Sequence, residues 1–187
     1  AAAPFRTITR GLEQARKIRF GSPPDGKSAS PEVIHLRVAS SPTAYKGSFD
    51  PAVFDPTSPS YDPSMEKLPL LLNIPNLELL GGTLLTTEGG LPSGVVPGTE
   101  TTVTSVMPQE SDQYMVLVTR TFALAGSGFP ESSQMAGDHI AISGFRFEAF
   151  PFDNDIPSAL IGINGVADFV VSGNVLEGGQ NNIFTRL

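Results

Sequence analysis

Asn76-Leu77-Glu78-Leu79-Leu80-Gly81, His139-Ile140-Ala141-Ile142-Ser143-Gly144 and Asp168-Phe169-Val170-Val171-Ser172-Gly173 can be written over one another. Each reads polar, apolar, any, apolar, small or apolar, glycine. Alternate residues of a strand point to one side. Leu77 with Leu79, Ile140 with Ile142 and Phe169 with Val171 are therefore predicted to face a common interior, buried and stacked in columns. The glycine then turns the chain through a positive φ, which only glycine or asparagine accepts cheaply. Asn174, directly after Gly173, suits the same corner. Each segment continues into a second apolar piece: Leu84-Leu85, Phe145 with Phe147, and Val175-Leu176, which sets Phe147 in line with Leu176.

The spacing points to an architecture. Ile140 and Phe169 lie 29 residues apart, about one coil of a solenoid. Leu77 and Ile140 lie 63 apart, room for about two coils and a loop. Tyr114 to Phe122 reads as a strand of the intervening coil. Ala159-Leu160-Ile161-Gly162-Ile163 supplies another, and Asn182-Ile183-Phe184 one after the Gly178-Gly179 turn. Short strands separated by Gly and Asn corners predict an all-β fold, a right-handed parallel β-helix. A β-sandwich is the competing reading. The matched glycines and the lack of two-residue hairpin signals between the repeats argue against it.

Ahead of the repeats, Thr7 to Arg19 is predicted to be a helix. Ile8, Leu12, Ala15 and Ile18 share a face, Thr7 can cap the start, and Arg16, Lys17 and Arg19 suit the dipole at the end. This apolar face is expected to cover the open end of the first coil, and the basic residues from Arg6 to Arg19 to form a solvated face. Glu32 to Ala39 reads as a strand with His35 and Arg37 pointing outward. Residues 40–66 carry Pro42, Pro51, Pro56, Pro59 and Pro63, and are expected to be neither helix nor central strand. The expected organisation is one domain over 1–187, with a capping helix in 1–20, a long Pro-rich loop in 40–66 and β-helix coils in 67–187.

Composition narrows the function. The chain has 187 residues, enough for one well-buried core, and a net charge of −7 with only four lysines. Nucleic acid and anionic membrane surfaces, which demand clustered Lys and Arg, are not expected partners. There is no apolar run of the ~20 residues a membrane helix needs, so membrane insertion is not expected. With no cysteine, disulfides and thiolate metal sites are excluded. The Ala1-Ala2-Ala3-Pro4 opening, without Met, fits a secreted protein whose signal peptide is gone, or a trimmed chain.

Pro4-Phe5-Arg6-Thr7-Ile8-Thr9-Arg10-Gly11-Leu12-Glu13-Gln14-Ala15 resembles the opening helix of secreted bacterial right-handed β-helix proteins of the pectin-lyase-like superfamily, in its functionally uncharacterised branch. Gly11 stands where that opening usually has Ala. Val33 to Ala39 followed by Ala44-Tyr45-Lys46-Gly47 is similar to the first strand and Gly-Thr-Tyr turn of those proteins, and Leu68-Pro69-Leu70 through Leu80-Gly81 to their Phe-Pro-Leu segment and strand. The resemblance runs from Pro4 to about Thr185. It implies a secreted, periplasmic or cell-surface protein. Because the superfamily holds lyases, glycosidases, esterases, tailspikes and adhesins, it does not choose an activity.

The chemistry-bearing residues are sparse. Asp138 and Asp168 flank equivalent strands at nearly the same register, which would allow them to be close in space, but the expected reading is that both cap strand starts and are solvated; Glu148, Asp153, Asp155 and Glu177 are the other carboxylates of the region. Phe152-Asp153-Asn154-Asp155 offers hard oxygen ligands for Ca²⁺ but lacks the Gly and Glu of an EF-hand and reads as a turn. His139 and Arg146 are the basic groups near the repeats, and His35 is far from His139 in sequence. Phe150 and Phe152 are expected to pack a loop rather than stack on a sugar. No catalytic, cofactor-binding or metal residue is assigned. The expected function is that of a non-enzymatic β-helix, a structural or interaction module in a larger assembly. Its expected partners are other protein chains or copies of itself, met through the C-terminal solenoid end near Ile183 and Phe184. A carbohydrate-active protein that binds or cleaves polysaccharide is the alternative.

Overall fold

Strands of two to six residues cannot satisfy their own backbone groups, so each must find partners elsewhere in the chain. Here the partners lie one full circuit away. The computed structural model describes residues 5–20, 32–86, 92–107, 113–119, 139–149, 159–166, 168–178 and 181–186. The fold is mostly β, with parallel sheets and one N-terminal helix. The elements are α1 (Ile8–Phe20), β1 (Ile34–Arg37), β2 (Tyr45–Ser48), a 3₁₀ turn (Pro51–Phe54), β3 (Glu66–Lys67), β4 (Leu70–Leu72), β5 (Leu77–Leu80), β6 (Leu84–Thr86) and β7 (Pro92–Val95). They continue as β8 (Thr101–Ser105), β9 (Tyr114–Thr119), β10 (Ile140–Ser143), β11 (Phe145–Glu148), β12 (Ala159–Asn164), β13 (Phe169–Ser172), β14 (Val175–Glu177) and β15 (Asn181–Arg186).

Three sheets take up these strands in rotation. Sheet A has the order β1-β5-β10-β13, sheet B β14-β11-β8-β2-β3, and sheet C β15-β12-β9-β4. Every pairing within them is parallel. A parallel pair needs a crossover, and the crossover is the visit to the other two sheets. The chain runs from β1 to β2 and β4, then β5, β8 and β9, then β10, β11 and β12, and last β13, β14 and β15. Among the described strands, β6 and β7 alone stand apart, as an antiparallel hairpin.

The registers place like residues in rows. Ile34, Leu77, Ile140 and Phe169 align in sheet A, and Tyr45, Val103, Phe147 and Leu176 in sheet B. Leu70, Val116, Ile161 and Ile183 align in sheet C. Leu77, Leu79, Ile140 and Ile142 are buried, as the repeat predicts, and so is Phe147. Phe169 and Val171 keep the predicted register but are only half-buried, because β13 is the outer strand of its sheet.

Other expectations are corrected. Ile18 is 54% exposed and Arg19 takes its place inside. Eleven steps of about 100° return to the direction of Ile8, whereas ten fall roughly 80° short, so the inner face is Ile8, Leu12, Ala15 and Arg19. The Pro-rich stretch contains β2, which lies between β8 and β3, and the Pro51–Phe54 3₁₀ turn. Its prolines flank β2 without interrupting it. Leu84 and Leu85 belong to the hairpin, and the sheet B strand of that circuit is β8. Positive φ occurs at Gly144 (81°) and Gly173 (60°) as predicted, but in the first repeat it falls on Gly82 (61°) in place of Gly81.

At the corners the circuits nearly touch. A Cβ on Gly144 would sit 2.1 Å from the carbonyl oxygen of Gly81, at a φ of +81°. Gly98 has a similar φ of +80° but open space around it. Gly144→Ala is expected to cost about 3 kcal/mol or more, from strain plus a backbone clash. Gly98→Ala is expected to cost about 1 kcal/mol, from strain alone. Urea unfolding of the two variants checks this, and equal losses would show that the corner glycines do not set the spacing of the circuits.

Candidate functional site

Both histidines of the chain meet on the outer face of sheet A. His35 on β1 stands in register with Glu78 on β5, and its Nδ1 lies 2.8 Å from Glu78 Oε2. His139, one residue before β10, places Nε2 3.3 Å from Glu78 Oε1 and Nδ1 3.3 Å from Asp168 Oδ2. The result is a ladder across all four strands: His35, Glu78, His139, Asp168. Outward side chains of adjacent circuits are held about a strand spacing apart, which is why residues so distant in sequence touch. An ionised carboxylate only accepts hydrogen bonds, so both His139 contacts are donor–acceptor pairs when the ring carries both its protons. Sheet B has a shorter version, with the Arg146 guanidinium on β11 paired to Glu177 on β14.

The end of the stack formed by β1, β3 and β4 is closed by α1. Thr7 Oγ1 accepts from the Arg10 amide at 3.2 Å and caps the helix. A second cap comes from β3. The Glu66 carboxylate, fully buried, accepts from the Ile8 amide (2.6 Å), the Thr9 amide (2.8 Å) and Thr9 Oγ1 (2.8 Å). Free amides and the helix dipole both favour a negative charge there. At the other end of α1, Arg16 donates to Asn73 Oδ1 at 2.8 Å and to the Leu71 carbonyl, and Arg19 donates to the Glu32 and Asn76 carbonyls. The expected solvated basic face is therefore partly inverted, since Arg19 is buried and Arg16 half-buried. Burial pushes both guanidinium groups below their usual value, with Glu13 opposing the shift at Arg16. Gly11 lets α1 approach β1, because a Cβ there would lie 2.9 Å from Leu36 Cδ1.

The opposite end is different. Val170 on β13 and Ile183 and Phe184 on β15 are exposed, at 42, 45 and 46%. Phe184 stacks on Tyr114 with ring centroids 6.5 Å apart.

Of the residues singled out in the sequence, His139 and Asp168 are brought together, and Arg146 meets Glu177. Asp138, Phe150, Phe152, Asp153, Asn154 and Asp155 lie outside the described residues. Glu78 and His35 were not foreseen as partners. The signal was present: Val33-Ile34-His35-Leu36-Arg37, written as a fourth row of the repeat, sets His35 beside Glu78. Among the described residues, no group of three or more His, Asp or Glu is arranged to hold a metal ion. Two concavities, of about 500 and 240 Å³, lie against α1 and are lined by residues such as Phe5, Thr7, Arg10 and Tyr45; neither includes a member of the ladder. No described helix is long and apolar enough to cross a membrane. No family model, no curated protein and no solved structure matches the chain.

Burial pushes the Glu66 carboxyl above its ordinary value, and the two amides and the hydroxyl pull it back only in part. The folded chain thus holds the Glu66 proton more tightly than the unfolded chain does. The stability gained from this is fully present below the ordinary carboxylate range and is lost as pH rises through the raised folded value. The melting-temperature advantage of the wild type over Glu66→Gln should therefore be larger at about pH 4 than at about pH 7. Thermal melts at the two pH values check this. An advantage that grows with pH would mean that the hydrogen bonds outweigh the burial.

Proposed function

We propose that the chain is a right-handed parallel β-helix with α1 as its cap, and that it serves as a non-enzymatic structural module on or outside the cell, docking to another protein chain through β13, β14 and β15. The fold reading is supported by the cyclic visiting order of the three parallel sheets. Right-handedness follows the strong preference of parallel crossovers for that hand. The surface setting rests on the resemblance carried by Pro4 to Ala15.

One observation carries the docking reading. The inward columns are closed in the earlier circuits, where Leu77, Val116 and Ile161 are fully buried, and open in the last, where Ile183 is 45% exposed and Phe169 and Val171 are half-buried. Apolar side chains beside unpaired strand edges are an invitation to pair. The ladder does not support a glycosidase to the same degree. Such enzymes keep open space for a sugar between two carboxylates, whereas His139 stands between Glu78 and Asp168.

Replacing both Ile183 and Phe184 with Lys should abolish concentration-dependent association, read by sedimentation. Because both side chains are already half-exposed, the monomer's melting temperature should move by only about 2–4 °C. A wild-type chain that stays monomeric up to high concentration, with the double variant no different, would overturn the docking reading.

A further inference from the structure

The hairpin of β6 and β7 is inserted between β5 and β8, so it belongs to the second circuit, that of β5, β8 and β9. Leu84 and Val95 stand opposite each other in it and share one side. Both are half-buried, while Leu85, on the other side, is 48% exposed. The hairpin therefore has an inner face and an outer one. Its base is pinned to its own circuit. The Val96 amide donates to the Thr83 carbonyl at 2.9 Å, the Thr83 amide to Thr99 Oγ1 at 2.9 Å, and Thr99 Oγ1 in turn to the Val96 carbonyl at 2.7 Å.

The inner face reaches beyond the second circuit. The corners that lead from sheet A into sheet B carry glycines at positive φ: Gly82 (61°) in the second circuit, Gly144 (81°) in the third and Gly173 (60°) in the fourth. Without side chains, three successive corners leave a trough. A Cβ on Gly82 would lie 3.0 Å from Val95 Cγ1, and a Cβ on Gly144 or on Gly173 would lie 3.2 Å from Val95 Cγ2. The isopropyl group of Val95 thus fills the trough at all three levels. In a stack of repeats each unit ordinarily touches only its neighbours, so circuits open one from the next. Here a side chain anchored in the second circuit reaches across the third to the fourth.

We propose that the β6–β7 hairpin is a strap, with Val95 as its contact, that holds the circuit of β13, β14 and β15 on the stack and couples its opening to the second circuit. To separate, the fourth circuit must give up Val95 as well as its pairing with the third. The corner glycines then serve two ends, the turn itself and the room for the strap. The strap acts in the same way whether or not β13, β14 and β15 meet a partner, so it stands or falls apart from the docking reading.

Hydrogen exchange of the full chain, followed residue by residue by NMR, tests this. The Ile140, Gly144 and Ala149 amides donate to the Asp168, Gly173 and Glu177 carbonyls, so they report separation of the third and fourth circuits. The Ile34 and Val38 amides donate to the Asn76 and Leu80 carbonyls and report separation of the first and second. Val95→Ala should speed exchange at the first three on the order of fivefold, the scale of losing partly buried methyl groups, and leave Ile34 and Val38 as they are. Unchanged exchange at all five amides, or equal acceleration at all five, overturns the strap. A double-mutant cycle read by thermal melts is the second arm. Gly173→Ala strains its corner and presses on Val95, whereas Gly165→Ala meets a similar φ (64°) with open space around it. In the Val95→Ala background the melting-temperature loss from Gly173→Ala should shrink by about 2–4 °C, and the loss from Gly165→Ala should not change. A Gly173→Ala loss identical in the two backgrounds removes the contact on which the strap depends. The exchange arm decides even when Gly173→Ala fails to fold.

Discussion

An open parallel sheet always has an edge at each end, and its unpaired N–H and C=O groups must be covered or left to water. Three sheets sharing one stack concentrate that demand at the same two places. Beneath α1 it is met by side chains as well as by backbone. Arg16 and Arg19 bring guanidinium donors to the carbonyls of Leu71 and Glu32, Arg19 adds a second bond to the Asn76 carbonyl that already accepts from the Ile34 amide, and Glu66 reaches up from β3 to the amides that begin the helix. The helix and the stack therefore satisfy each other's loose ends. Placing Arg19 inside leaves its Nε and Nη1 buried without partners, a desolvation cost that an apolar residue would not incur. Reaching the Glu32 carbonyl and sharing that of Asn76 with the Ile34 amide is the offsetting gain.

Constancy of register coexists with wide variation in the lengths that separate the strands. Sheet A strands recur 43, 63 and 29 residues apart when measured along Ile34, Leu77, Ile140 and Phe169. Closing a longer loop costs only slowly increasing entropy, while slipping a strand by one residue would turn its whole inward row to solvent. Sequence between the strands is thus free to vary, and the hairpin of β6 and β7 is one use of that freedom. The corners are less free. Gly81 and Gly144 pass so closely that neither has space for a side chain, and Asn174 bridges one circuit to the next, accepting from the Phe145 amide and donating to the Ile142 carbonyl.

This division explains what could be read from the sequence. The rows beginning at Asn76, His139 and Asp168 were legible because their inward residues are aliphatic or aromatic and their corners carry glycine. The same holds for Phe147 over Leu176. β8 was hidden because its inward residues are Thr101, Val103 and Ser105, all buried. Their hydroxyls bond to backbone, Thr101 accepting from the Gly82 amide and Ser105 donating to the Met107 carbonyl, so a buried row reads as polar. β2 was hidden by its prolines and by Gly47, whose missing side chain makes room for Leu68. The ladder escaped for a different cause. Glu78 sits in the slot that the repeat leaves open and His139 and Asp168 in the slot where it asks only for a polar residue, so only correct stacking of β1 over β5 reveals the whole ladder.

Outward slots are where such a scaffold has choice, and along sheet A they bring histidines and carboxylates together. Half-exposed ion pairs of this kind contribute little to stability, so the ladder is poorly explained as a means of holding the circuits together. The backbone pairing and the buried columns do that without it. Charge alternation does, however, discriminate between registers and between directions of approach. When His35 and His139 are protonated, cations and anions alternate along the ladder, and such a layer favours a neighbour of the same polarity over one that is inverted. The order of charges thus gives the stack a direction, which the backbone also has but which identical apolar columns would not convey to a partner.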